Sequence, residues 1–337
     1  MTQPLIEARN VGKQYRIGHA LGGGRQTLRA LDDVSLAIMP GETVGLVGES
    51  GCGKSTLGRC LLRLTDISSG SIRFEGRDIT SLGDRAMRPL RPRMQMVFQD
   101  SYASLNPRRR IGDLLAEPMH VHRAPDGRPH GRVEIRNRLE ELLALTGLPL
   151  QALNRYPHEF SGGQRQRINI ARALTLSPSL IVADEPVSAL DVSIQAQIVN
   201  LFADLRERLG LTYVFIAHDL SVVRQIANRV AVMYLGAIVE LGTTDAVLHS
   251  PAHPYTAALI SAIPEPAVGR KSGRTILKGD VPSPISPPPG CRFHTRCPSA
   301  QEQCSRDIPL LRMLDDGRSV ACHFPLAAGS RMEAATG

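Results

Sequence analysis

Short unbroken apolar runs alternate with helical spacing over the first 260 residues. Residues 43–47 (TVGLV), 180–183 (LIVA) and 213–216 (YVFI) are four or five residues long and show no polar alternation. Strands covered on both faces have that pattern, so each run predicts a buried parallel strand. Between them, Ile194, Ile198, Leu201 and Leu205 fall one helical turn apart and lead to Gly210, a helix stop. Leu57, Leu61 and Leu64 predict another helix, and so do Ile168, Ala171 and Leu174. Residues 102–153 read as mostly helical, with Leu139, Leu142 and Leu143 on one face, which makes them a helical insertion between strands. This is an α/β pattern. Beyond Pro264 the chain changes: VPSPISPPPG holds five prolines in ten residues, a stiff extended spacer. No tandem repeat is present, so one nucleotide domain is expected and not two.

The chemistry begins where the first strand ends. GESGCGKST, residues 48–56, fits G-x-x-x-x-G-K-[ST] between a strand and a helix. Gly48, Glu49, Ser50, Gly51, Cys52, Gly53 and Thr56 let backbone N–H groups wrap a phosphate chain at a helix N-terminus. Lys54 neutralises β- and γ-phosphates and the Ser55 hydroxyl ligates Mg²⁺, the roles given by the general P-loop template. A thiol inside such a loop, Cys52, is expected to block nucleotide when alkylated. LIVADEP, residues 180–186, supplies a strand ending in two carboxylates: Asp184 for the magnesium shell, and Glu185 to polarise an attacking water. Gln99, after MQMVF, can reach Mg²⁺ or that water. His218 closes a third strand at the ligand-facing edge.

FSGGQRQR, residues 160–167, needs a separate explanation. Ser161 and Gln164 have capping-box spacing. Adjacent Gly162 and Gly163 are costly in a first helical turn, by up to ~1 kcal/mol each. A second bare helix N-terminus is a second anion site in a chain with one phosphate loop. The economical reading is that it serves the ATP of a neighbouring subunit in an isologous pair.

Composition adds limits. The net charge of +8 comes from 40 Lys plus Arg, only four of them Lys, while aromatics are 4%. Without aromatics clustered among the basic residues, no nucleic-acid partner is expected. RAMRPLRPR, residues 85–93, reads as a solvated loop. No apolar run approaches the ~18 residues of a membrane span, and no export signal opens the chain. Disulfides are therefore not expected, and Cys291, Cys297, Cys304 and Cys322, crowded near the C-terminus, call for a metal. Their spacing departs from the paired Cys-x2-Cys of zinc ribbons and suits a four-iron four-sulfur cluster at least as well, with zinc or free structural thiols the alternatives. His294 and His323 are substitute ligands.

In order, the phosphate loop, the glutamine after MVF, FSGGQ, LIVADE, SALD (residues 188–191) and His218 resemble an ATP-binding-cassette domain. The resemblance covers about 240 residues. It implies a P-loop fold with a RecA-like parallel-sheet core, antiparallel N-terminal strands and a helical subdomain that docks on membrane subunits, followed by a small cysteine-rich extension. It further implies that Tyr15 stacks on adenine, that Ser55, Gln99 and Asp184 serve magnesium, and that Asp191 joins Ser161–Gln164 on the opposite subunit's nucleotide. YASLNPR (102–108), PAHPYT (251–256) and PPPGCRFHTRCP (287–298) are similar to the ATPases of dipeptide and oligopeptide permeases, specifically the second of their two nucleotide subunits. That likeness implies a paralogous ATPase partner, two integral permease subunits, an extracytoplasmic substrate-binding protein and a place on the cytoplasmic face of a bacterial inner membrane. Members of that family carry an iron–sulfur cluster at this tail. The expected organisation is an ATPase domain over 1–262 with its helical insertion at about 100–160, a linker over 263–290, the cysteine region over 291–325 and a disordered tail over 326–337. Nickel and glutathione are alternative cargoes. A soluble cassette ATPase of DNA repair or translation, and an iron–sulfur sensor on the same fold, are the rival classes.

Overall fold

The computed structural model describes residues 3–18, 26–124, 126–263, 277 and 279–327. Half of the expected linker, 264–276 and 278, lies outside the described residues, as does 328–337 of the expected tail. The chain forms two compact units, one of Met1–Ile38, Thr43–Thr80 and Ala217–Gly337, the other of Met39–Glu42 and Ser81–Ile216.

In the first unit, strand Ile6–Ile17 pairs antiparallel with Gln26–Ile38 on one edge and with Ser69–Phe74 on the other. These are the antiparallel N-terminal strands. Thr43–Val47 is buried at every position, as its unbroken run requires, and pairs parallel with Arg229–Tyr234 in the register Val44↔Arg229. Arg229–Tyr234 turns back through Leu235 and Gly236, both at positive φ, into Ala237–Thr243. Two central residues at positive φ match the twist of a tight hairpin. Ala237–Thr243 then takes a C-terminal neighbour: Ser319–Val320 pairs antiparallel with it (Glu240↔Val320), and Arg312–Met313 pairs with Ser319–Val320. The residues beyond the proline-rich segment thus extend the unit's own sheet. A buried ion pair reinforces this seam: Arg318 lies 3.6 Å from Glu240, which also accepts from the N–H groups of Ala252 and His253 at 2.8 and 2.9 Å. Burial raises the Glu240 pKa, an effect these donors oppose.

The second unit holds three parallel strands, Met94–Val97, Leu180–Asp184 and Thr212–Ile216, in the registers Val97↔Ala183 and Asp184↔Ile216. Helix Val192–Leu209 ends where its spacing predicts, on Gly210 in the left-handed conformation. Its Phe202 meets Tyr213 and Phe215 edge-on, at centroid distances of 5.4 and 5.5 Å. The insertion contains helices Ile111–Val121 and Arg132–Thr146, which pack with Gly162–Leu174 through buried Leu139, Leu142 and Leu143.

Two local expectations shift. The helix after the phosphate loop ends at Leu61, and Leu64 is half exposed, because Arg63 takes a positive φ and turns the chain. RAMRPLRPR is partly ordered: Asp84–Met87 is a helical turn anchored by buried Met87, and Arg91–Arg93 is a 3₁₀ turn.

Candidate functional site

In the first unit, the loop after Thr43–Val47 is shaped by glycines at positive φ. Gly48 sits at φ +148°, and a Cβ there would stand 2.2 Å from the Met233 carbonyl oxygen, so no side chain fits. Helix Lys54–Leu61 starts from Gly53, and no side chain caps it, which leaves its first amides to a ligand. Lys54 is buried and its Nζ donates to the carbonyls of Gly48 and Glu49 at 2.8 and 3.0 Å, curling the loop around the ammonium. Cys52 is buried too, and burial raises its thiol pKa despite Lys54 nearby. It is therefore a poor nucleophile at neutral pH, and alkylation there should be slow. Tyr15 lies on Ile6–Ile17, partly exposed, with Lys13 Nζ 4.9 Å from its ring centroid. His218 is exposed, two residues past Thr212–Ile216.

In the second unit, Leu180–Asp184 delivers both carboxylates. Asp184 is buried at the strand end, and Glu185 follows at φ +45°, an uncommon conformation for a residue with a Cβ. Its N–H donates to Ile216 O at 3.0 Å, and its carbonyl accepts from Ser188. Gln99 Nε2 donates to Glu185 Oε2 at 2.9 Å, so two residues 86 apart in sequence meet. Ser161 forms the expected capping box: Gln164 N–H donates to its Oγ at 3.4 Å, and Gln164 Oε1 accepts from its N–H at 3.1 Å. The diglycine has a packing reason as well, since a Cβ on Gly163 would lie 2.6 Å from Ile194 Cγ2. Asp191 precedes helix Val192–Leu209, and its carboxylate makes no capping bond.

A second concentration of chemistry lies in the first unit. Cys291, Cys297, Cys304 and Cys322 line one cavity, together with His253, His294 and His323. All six cysteines are free thiols. Burial pushes Cys297 and Cys322 up to about 11 and raises Cys291. His294 and His323 each place one ring nitrogen on a backbone carbonyl, of Cys291 at 2.8 Å and of Asp307 at 2.9 Å. His253 is fully buried and held neutral, its pKa lowered to about 3 by desolvation. Its Nδ1 accepts from the Tyr255 N–H at 3.0 Å, which puts the ring proton on Nε2, and Nε2 has no partner. Among the described residues, no three His, Cys, Asp or Glu side chains stand in the geometry that holds one metal ion.

The family described as ABC transporter matches residues 31–188, and the oligopeptide/dipeptide transporter C-terminal region matches residues 239–304. The oligopeptide transport ATP-binding protein AppF of Bacillus subtilis is 50% identical over 329 residues, covering 96% of this chain and 98% of that one. The chain belongs to the ABC transporter ATPases. A Brucella ovis protein named for ATP binding in peptide import is 52% identical over 319 residues, 95% of this chain and 97% of its own. A dimeric bacterial ABC transporter cassette superposes with a TM-score of 0.63 at 30% identity, over 71% of this chain and 98% of that one. A dimeric cassette bound to ADP and Pi gives a TM-score of 0.62 at 29% identity, over the same shares. The fold is the cassette fold, and the chain is an ATPase that uses ATP with Mg²⁺ to drive transport. Among the described residues, no helix of this ABC ATPase is long and apolar enough to cross a membrane.

The motifs left several participants unseen. Arg296 grips Glu49 of the phosphate loop, Tyr255 Oη accepts from the Glu49 N–H, and Phe293 packs beneath them against Tyr234 and Tyr255. A basic residue beside a cysteine was the only available signal, and it named no partner 247 residues away.

Proposed function

We propose that this ABC ATPase energises an importer of dipeptides or short oligopeptides, paired with a paralogous ATPase and acting on two membrane permease subunits fed by an extracytoplasmic substrate-binding protein. It works at the cytoplasmic face of the bacterial inner membrane. One observation carries the reading: a single chain joins a cassette to an oligopeptide/dipeptide C-terminal region, and relatives named for peptide transport align with it almost end to end.

In this reading the amides of residues 48–56 and the Lys54 ammonium hold the triphosphate, and Tyr15 stacks on adenine. Ser55, Asp184 and Gln99 serve the magnesium ion, which neutralises phosphate charge when bound. Glu185 accepts a proton from the attacking water, and Gln99 fixes that carboxylate through its amide nitrogen. The amide oxygen of Gln99 keeps acceptor capacity toward magnesium or the water. His218 supports the γ-phosphate side. Ser161, Gly162, Gly163, Gln164 and Asp191 act on the mate's nucleotide, so that ATP joins two subunits and hydrolysis releases them. The dimeric state of the two solved cassettes supports the pairing of two subunits.

The four cysteines hold a four-iron four-sulfur cluster. What supports a metal group is that all four thiols line one cavity, and their spacing departs from the paired Cys-x2-Cys of zinc ribbons. The unpartnered Nε2–H of His253 at that cavity fits a sulfur acceptor. The cluster would staple the C-terminal chain. Chain purified without oxygen should be brown with about four irons per chain. A colourless, iron-free protein would remove the cluster, and stoichiometric zinc would replace it.

Cargo is tested by uptake of labelled dipeptides, nickel and glutathione in a strain lacking this chain. Loss of dipeptide uptake alone is the expected result. Intact peptide uptake with loss of either other cargo would overturn the assignment.

A further inference from the structure

Glu49 is an odd residue for a phosphate cradle, because a carboxylate there repels the ligand's charge. The structure shows how the fold deals with it. Arg296 Nη1 and Nη2 donate to Glu49 Oε2 and Oε1 at 2.8 and 3.0 Å, a two-pronged pairing of a guanidinium with a carboxylate. The Arg296 side chain is only 8% exposed and that of Glu49 25%, so water screens the pair weakly. Arg296 Nη1 also lies 3.4 Å from Tyr234 Oη. Glu49 is held at its other polar atoms as well: its N–H donates to Tyr255 Oη at 2.8 Å, and its carbonyl accepts from Lys54 Nζ at 3.0 Å.

The clamp belongs to the cysteine region. Arg296 ends the 3₁₀ turn His294–Arg296 and immediately precedes Cys297. Arg292, immediately after Cys291, is tied to the Asp32 carboxylate and to the Leu235 carbonyl. Between the two arginines, Phe293 is buried against Tyr234 and Tyr255, with ring centroids at 5.3 and 5.4 Å. The segment Cys291–Cys297 therefore lines the cysteine cavity with its thiols and grips the phosphate loop through Arg296, while Arg292 and Phe293 anchor the segment to Asp32, Leu235, Tyr234 and Tyr255.

We propose that Arg296 is a positioning residue for nucleotide binding, which neutralises and fixes Glu49 and so makes the affinity of the phosphate loop depend on the cysteine-flanked turn. The inference rests on the reading of residues 48–56 as the ATP cradle. It does not need iron, since the pairing involves only side chains of this chain. A colourless protein would remove the cluster and leave the clamp standing, whereas a full chain that bound no nucleotide would remove the cradle reading itself.

The test is calorimetric titration of MgATP into the full-length chain and its variants, with the melting temperature recorded without nucleotide. Arg296→Ala should weaken binding about tenfold, because it leaves a carboxylate unpaired beside the phosphates. Arg296→Lys, which keeps the charge without the fork, should lose less. The deciding variant is Glu49→Gln combined with Arg296→Ala. It should bind within about twofold of the native chain, since the repulsive charge has gone. Native affinity in Arg296→Ala would overturn the proposal. So would a double variant as weak as Arg296→Ala, because Arg296 would then act only through the fold.

Discussion

Substituting Glu185→Gln should lower the rate of ATP hydrolysis by ~10²-fold or more while leaving the nucleotide bound. Glutamine matches the shape of glutamate, so the backbone bonds of residue 185 to Ile216 O and from Ser188 are retained. Its amide oxygen can still accept from Gln99 Nε2, the 2.9 Å contact that orients the carboxylate. What is lost is the capacity to take a proton from water at the moment of attack. The strained φ of +45° at this residue is the kind of local cost that persists where function demands it. Phosphate release under saturating MgATP gives the rate, and retained nucleotide after rapid desalting gives the binding. Near-native turnover would remove Glu185 from its role as base.

Lys54→Ala should fail in the opposite way, at binding and not at turnover. The buried ammonium is the concentrated positive charge of the cradle, gathered by the Gly48 and Glu49 carbonyls. Truncating one partner of a desolvated charge pair costs ~2–5 kcal/mol, which corresponds to about 30-fold or more in the dissociation constant. Titration of MgATP into this variant beside Glu185→Gln separates the two roles. Lys54→Ala should lack measurable affinity at concentrations that saturate Glu185→Gln. Equal affinities would mean that the lysine holds the loop and not the phosphates.

The strands Thr43–Val47, Leu180–Asp184 and Thr212–Ile216 were legible because burial on both faces leaves no polar alternation in the run. The Ser161–Gln164 cap was legible because its chemistry is completed within four residues. The phosphate loop was legible because its glycines, lysine and serine are contiguous.

Other features left no local trace. Ser319–Val320 and Arg312–Met313 are two residues each, too short for any periodicity, and they exist because Ala237–Thr243 offers an edge. The Arg296–Glu49 pair and the Tyr255–Glu49 bond join residues 247 and 206 positions apart, whose residue types are ordinary. Gly163 was read as a bare amide for an anion, but its contact with Ile194 across two helices was not visible in a linear pattern. The convergence of four irregularly spaced cysteines on one cavity was likewise a matter of tertiary folding, although their crowding at one end of the chain signalled it.

Everything proposed for catalysis depends on nucleotide being enclosed between two ATPase chains, with the serine–diglycine corner of one acting on the triphosphate of the other. Sedimentation of the Glu185→Gln chain with MgATP, alone and mixed with its paralogous ATPase, tests this most directly. The account predicts a two-chain species that forms only with MgATP and disperses when the nucleotide is removed. A single-chain species at saturating MgATP, in every mixture, would contradict it.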